Sequence, residues 1–305
     1  MTTAKPQPAS SAFTLAPRAI AHHVLRHRWP IRVMHWINLI ALTVMLGSGL
    51  QIFNASPSLH WGNWSDPQHQ WLALDAYQAA DGSAHGTTQI GRHRFDTTGV
   101  LGVSNVDGQP QARGFPAWST IPGPQWLAMG RRWHFFFGWI FVINGLCYLG
   151  YSLASRHLQR DLLPDRGELR GIGGSIRDHL RLRHPDGAAA LRYNVLQKLA
   201  YLIVIFVFGG GIVLMGLLMS PRMDALLAPV LELVGGRQSA RSIHFIIAVG
   251  FVAFALVHVL MVLLSGPANQ LRGMITGYYE VHLKHKPPAP PRSDVSATGQ
   301  ESAHD

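Results

Sequence analysis

The chain has 305 residues, 48% hydrophobic and only 14% charged, with a formal net charge of +10, a balance that favours a membrane protein carrying soluble segments. The positive charge gathers beside apolar runs, which selects anionic membrane lipid as its partner and excludes nucleic acid. A single cysteine, Cys147, excludes an intrachain disulfide framework, a four-cysteine iron–sulfur site and any thioether attachment through Cys-x-x-Cys-His.

Residues 1–25 contain no apolar stretch of the secretory-signal kind and are expected to form a disordered, uncleaved arm, so that the first helix inserts directly. A membrane crossing takes ~20 predominantly apolar helical residues. Four runs qualify: about Ile31 to Phe53 behind Pro30, Arg132 to Leu153, Leu196 to Ser220 stopped by Pro221, and Ser242 to Ser265 stopped by Gly266-Pro267. The expected architecture is an all-α integral membrane four-helix bundle over residues 26–280, with a small folded insertion at 54–130 and a second disordered tail at 281–305.

Arginine counts in the flanks set the orientation. Residues 154–195 hold eight arginines against five acids, and Arg18, Arg26, Arg28 and Arg32 precede or open the first run. Residues 54–128 hold three arginines against five aspartates. Both termini are therefore expected in the cytoplasm and the 54–130 insertion outside it. That insertion is too long for a plain helix connection, and Asp107-Gly108 predicts a hairpin turn within it. Its tryptophans (Trp61, Trp64, Trp71, Trp118 and Trp126) suit a docking surface or an interfacial lid.

Histidine inside a membrane span is costly and marks a functional hypothesis. Four lie in the runs: His35, His134, His244 and His258. Any one alone could be a packing residue, but their depths match. His35 lies near the cytoplasmic end of the first helix and His134 near the outer end of the second. His244 and His258 are fourteen residues apart on the fourth, which is about 21 Å and just under four turns, so both rings point the same way. Depth then pairs His134 with His244 and His35 with His258. Two neutral imidazoles fill the axial positions of a porphyrin iron and favour electron transfer, whereas a zinc or copper site would need all its ligands at one point. Gly47, Gly49, Gly138, Gly145 and Gly209 to Gly211 leave room for a macrocycle or serve ordinary helix packing. The other histidines fit surface positions: His22, His23 and His27 in the arm, His60, His69, His85 and His93 in the insertion, and His157, His179 and His184 in the second connection.

HRWPIRVMHW (His27 to Trp36), RRWHFFFGW (Arg131 to Trp139), the His244/His258 spacing and NQLRGMITGYY (Asn269 to Tyr279) resemble the bacterial cytochrome b561 proteins and the cytochrome b subunits of nickel–iron hydrogenases, formate dehydrogenases and thiosulfate reductases. The resemblance spans about Arg26 to Tyr279 and implies two non-covalent haem b groups, with axial ligands His35, His134, His244 and His258. It further implies a quinone or quinol site near the cytoplasmic haem, for which Arg28, Arg32, Trp36, Tyr193, Asn194, Gln197 and Lys198 lie at suitable depth or anchor the interface. The long insertion and the stretch Leu162 to Gly174 depart from the shorter members. By resemblance, the expected role is electron transfer in a bacterial inner membrane between quinone and a periplasmic oxidoreductase of molybdopterin type docked on residues 54–130. A stand-alone quinol-dependent oxidoreductase acting on superoxide or ferric iron, and a non-redox transporter with histidine proton relays, remain as alternatives.

Overall fold

The computed structural model describes residues 20–180 and 194–283. A short strand, β1 (Ile20–Leu25), leads into α1 (Trp29–Phe53), whose first turn holds Pro30 where a missing N–H costs nothing. The insertion follows. Strands β2 (Ser58–His60), β3 (Gln70–Gln78), β4 (Ala84–Ile90) and β5 (His93–Asp96) form an antiparallel sheet in sequential order. Strands β6 (Gly102–Val106) and β7 (Gln109–Arg113) make the expected hairpin, with Asp107 at φ 51° and Gly108 at φ 80° as its two turn residues. Phe53, Leu59, Leu72 and Leu74 form the core of this cap, and Trp71, Leu101, Phe115 and Phe245 pack on it. Arg113, 4% exposed, crosses beneath and donates to Phe115 O, Gly123 O and Thr120 Oγ1 at 2.7–3.1 Å.

α2 (Leu127–Ala154) returns beside α1. The short helices α3 (Arg166–Arg170) and α4 (Ile172–Leu180) follow, α3 opened by a capping box between Asp165 and Glu168. The third crossing is composite: α5 (Val195–Leu202), a π-helical stretch Ile203–Gly209, then α6 (Gly210–Leu218). α7 (Asp224–Leu233) lies between the third and fourth crossings, and α8 (Arg237–Leu264) packs along α6. Gly236, at φ 104°, turns the chain into α8, and a Cβ there would meet Asn63 Oδ1 at 2.1 Å. α9 (Pro267–Thr276) ends at Gly277, and β8 (Tyr278–Leu283) pairs antiparallel with β1 from Ile20↔Leu283 to Leu25↔Tyr278.

Among the described residues, four helices are long and apolar enough to cross a membrane. Phe136, Trp139, Leu146, Val257, Leu260 and Leu263 are each more than half exposed, an apolar surface that suits lipid and not water.

Several expectations change. Ile20–Leu25, within the arm expected to be disordered, pairs with Tyr278–Leu283, whose last three residues fall in the tail expected to be disordered; strands more than 250 residues apart meet because the start of α1 lies beside the end of α9. α2 starts at Leu127 and α8 at Arg237, before the apolar runs, since arginine is a good helix former and ends a lipid-facing surface without ending a helix. The fold is mostly helical, but the insertion is β-rich.

Candidate functional site

α8 carries two of the four histidines, and α1 and α2 bring one each to it. The rings of His35 and His258 have centroids 6.3 Å apart, and those of His134 and His244 6.1 Å apart, tilted by 55° and 57°. Metal–imidazole bonds of about 2 Å, with each ring centre about 1 Å behind its nitrogen, give a span of about 6 Å. The donor spacing thus fits one metal ion between two imidazoles at each level. Among the described residues no three His, Cys, Asp or Glu side chains converge on a point, so the four histidines fall in two pairs and not in one cluster.

Backbone carbonyls set the tautomers. His134 Nδ1 lies 3.1 Å from Met45 O, and His244 Nδ1 lies 3.0 Å from Ile212 O. A carbonyl only accepts, so Nδ1 carries the proton in each ring and Nε2 keeps a free lone pair, as a metal-binding histidine requires. Gly49 eases one of these approaches, since a Cβ there would meet the His134 ring at a tight 3.3 Å, whereas one at Gly216 would meet the His244 ring at an ordinary contact distance of 3.6 Å. At the other level, His35 Nδ1 is buried without a hydrogen-bond partner, while the His35 ring meets Trp36 edge-on and His258 stacks on Phe254. Of the remaining glycines, Gly145 and Gly210 face open space, whereas Gly47 lies against Ile121 and Gly211 against Ile247.

The quinone candidates divide. Arg28 is exposed at the start of α1 and makes no side-chain cap. Arg32 is half-buried with Nε unpartnered, and Trp36 donates Nε1–H to Met274 O at 3.2 Å. Asn194 and Gln197 are engaged with each other's backbone N–H groups in the capping box of α5. Lys198 is buried and paired with both Glu168 oxygens at 2.8 and 2.9 Å, an interaction that holds Glu168 below the usual carboxylate range. Tyr193 lies outside the described residues.

Other residues gain importance that sequence reasoning missed. Arg26 lies 4.7 Å over the Tyr279 ring, and its buried Nε, like that of Arg32, has no partner. Both guanidiniums are close enough to His27 to act on it electrostatically, as is His35. His27 is not solvated as expected: burial, then Arg26, hold it neutral with a pKa of about 4. The signal in the sequence was the arginine density of Arg26 to Arg32. His60 is likewise not a surface residue. It is 3% exposed, because β2 lies against the first turns of α8 and its carbonyl accepts from Ser242 Oγ at 2.6 Å. His157 is mostly covered and bonds Asp161 at 2.6 Å.

The family model described as prokaryotic cytochrome b561 matches residues 111–277, just over half of the chain. That match takes in His134, His244 and His258 and leaves His35 outside. The chain is also 29% identical, over 254 residues, to a protein of Azospira oryzae with the provisional name protein-methionine-sulfoxide reductase subunit YedZ1. The alignment covers 81% of this chain and 94% of that relative. No solved structure matches. With four membrane-length helices and a histidine-bearing bundle behind it, the chain belongs to the prokaryotic cytochrome b561 family of membrane electron-transfer proteins that bind haem b.

Proposed function

We propose that the chain is a di-haem cytochrome b of the bacterial inner membrane, passing electrons between the quinone pool and an oxidoreductase docked on residues 54–130. The observation that carries this reading is the pair of imidazole pairs, each with ring centroids about 6 Å apart and one on each side of the bundle's length. His35 and His258 would hold one haem b, and His134 and His244 the other. Held by these imidazoles, haem b would supply one-electron redox chemistry. The carbonyls of Met45 and Ile212 fix the ring orientation and raise the basicity of His134 and His244 through their Nδ1–H groups. Arg26 and Arg32, with unpartnered Nε atoms at the His35 end, suit an anionic group such as a propionate or a quinone oxygen.

For quinone, the candidates among the described residues narrow to Arg28 and Arg32, since Trp36 already donates to Met274 O and Asn194, Gln197 and Lys198 already serve a helix cap and an ion pair; Tyr193, outside those residues, stays a candidate. The arginine bias supports cytoplasmic termini and a periplasmic cap. The name of the Azospira oryzae relative supports a reductase partner, and a molybdopterin enzyme reducing a methionine-sulfoxide-type substrate fits the resemblance.

Haem quantification on the purified full chain tests this. Two haems per chain, released by acid acetone, are expected. His258→Ala loses the haem of the His35 level and His134→Ala the other, each leaving one α-band component. A colourless folded protein, or loss of both haems from either single change without unfolding, refutes the pairing.

A further inference from the structure

An open groove of about 660 Å³ lies on the cap, lined by Trp61, His69, Trp71, Gln89, Arg92 and Arg94 among others. Trp61 and Trp71 form its aromatic part, stacked with centroids 5.9 Å apart at 21°, and Trp61 is 53% exposed. Arg92 and Arg94 are exposed along it, and among the described residues neither is in an ion pair. Asp66, the acid beside His69, is already bonded to that ring and to Gln68 N–H. Asp96, two positions along β5 from Arg94, is bonded to Thr98.

The groove is also wired to the helix that bears His244. Trp71 donates Nε1–H to Ser242 Oγ at 3.0 Å, two residues before His244. Trp71 and Phe245 pack on the same core cluster, where Phe245 meets Phe53 at 5.1 Å. Arg94 donates Nε–H to Gln89 Oε1 at 3.0 Å, and neither it nor Arg92 has a carboxylate partner among the described residues. An exposed indole backed by a second indole, flanked by two guanidiniums whose charge is not paired, fits a protein surface that offers carboxylates, and its openness suits a protein more than an enclosed small molecule.

We propose that this groove seats an acidic segment of the redox partner, placing the partner's one-electron centre beside the His134/His244 level so that the electron one centre loses the other gains. This inference rests on the electron-transfer reading above.

The test uses the full haem-loaded chain with ferricyanide as an anionic one-electron oxidant, hexaammineruthenium(III) as its cationic counterpart, and a poly-glutamate peptide as competitor. At low ionic strength, Arg92→Glu/Arg94→Glu slows oxidation of the reduced α-band by ferricyanide about tenfold and speeds that by the ruthenium complex, with both differences vanishing at high salt. Poly-glutamate slows the ferricyanide reaction in the parent and not in the double variant. A readout independent of haem comes from fluorescence: iodide quenches the emission lost in Trp61→Phe more than caesium does, and the charge reversal inverts that order. Unchanged rates with both oxidants, or no effect of the peptide on the parent, in protein of full haem content overturn the groove as the contact site. A protein that shows the iodide preference but no α-band overturns instead the electron-transfer reading beneath it.

Discussion

Replacing Ser242 by alanine tests how the cap is joined to the helix that carries His244 and His258. The Ser242 side chain is wholly buried; its hydroxyl accepts from Trp71 Nε1–H at 3.0 Å and donates to His60 O at 2.6 Å. Alanine removes both bonds and leaves an indole N–H and a carbonyl facing protein without partners. At about 0.5–1.5 kcal/mol net for each bond, plus the penalty for stranding buried groups, the loss is about 2–4 kcal/mol. The cost falls on the attachment of β2 to α8, because both stranded groups belong to the cap. With each 1.4 kcal/mol worth tenfold, local opening of this junction rises about 30- to several-hundred-fold. Hydrogen exchange followed by mass spectrometry on peptides covering Ser58 to Gly62 reads that opening directly. The α1–α2 pair, bonded elsewhere, keeps its protection. A change below about threefold at Ser58 to Gly62, in protein with wild-type α2 protection, refutes the assignment of Ser242 as the joint.

Gly236→Ala forces a side chain into a left-handed position and against Asn63, so it lowers thermal stability by more than about 1 kcal/mol, and its largest exchange increase falls at the start of α8. Glu168→Gln removes the partner of buried Lys198 and loosens the α3–α5 junction, with a cost of about 1–2 kcal/mol after allowance for the partial exposure of Glu168. The folded-state pKa of Glu168 lies below its usual value of 4.5, so its contribution is present above pH 4.5 and fades as pH falls through the lower folded value. The parent and the Glu168→Gln variant therefore differ in melting temperature at pH 7 and converge in acid; a gap that persists below the folded value refutes the ion pair as its source. Lys198→Met is expected to leave quinol-driven haem reduction intact, because its ammonium is occupied by Glu168; loss of that reduction, with haem content unchanged, returns Lys198 to the quinone candidates.

The hairpin at Asp107-Gly108 was legible because two consecutive positive φ angles are a local demand that few residue pairs meet. The spacing of His244 and His258 was legible for a similar reason, since one helix converts fourteen positions into depth and direction. Asn194, Gln197 and Lys198 were read as quinone candidates or interface anchors; the structure engages Asn194 and Gln197 in a helix cap, and Asn-x-x-Gln is itself a capping pattern visible in the sequence. The partner of Lys198 was not visible, because Glu168 lies thirty residues away across a connection of short helices. His60 looked like one more loop histidine until β2 was laid against α8.

What the sequence alone determined was whatever depends on a single helix or a single turn: the four apolar lengths, the level of each membrane histidine, the hairpin, and the arginine asymmetry. Tertiary structure decided which distant groups meet, namely the ribbon joining β1 to β8, the seat of the cap on α8, and the exposed indole stack beside Arg92 and Arg94. The physical reason is that periodicity and turn chemistry act over a few residues, whereas closing loops of tens to hundreds of residues leaves no local mark on the residues that come together.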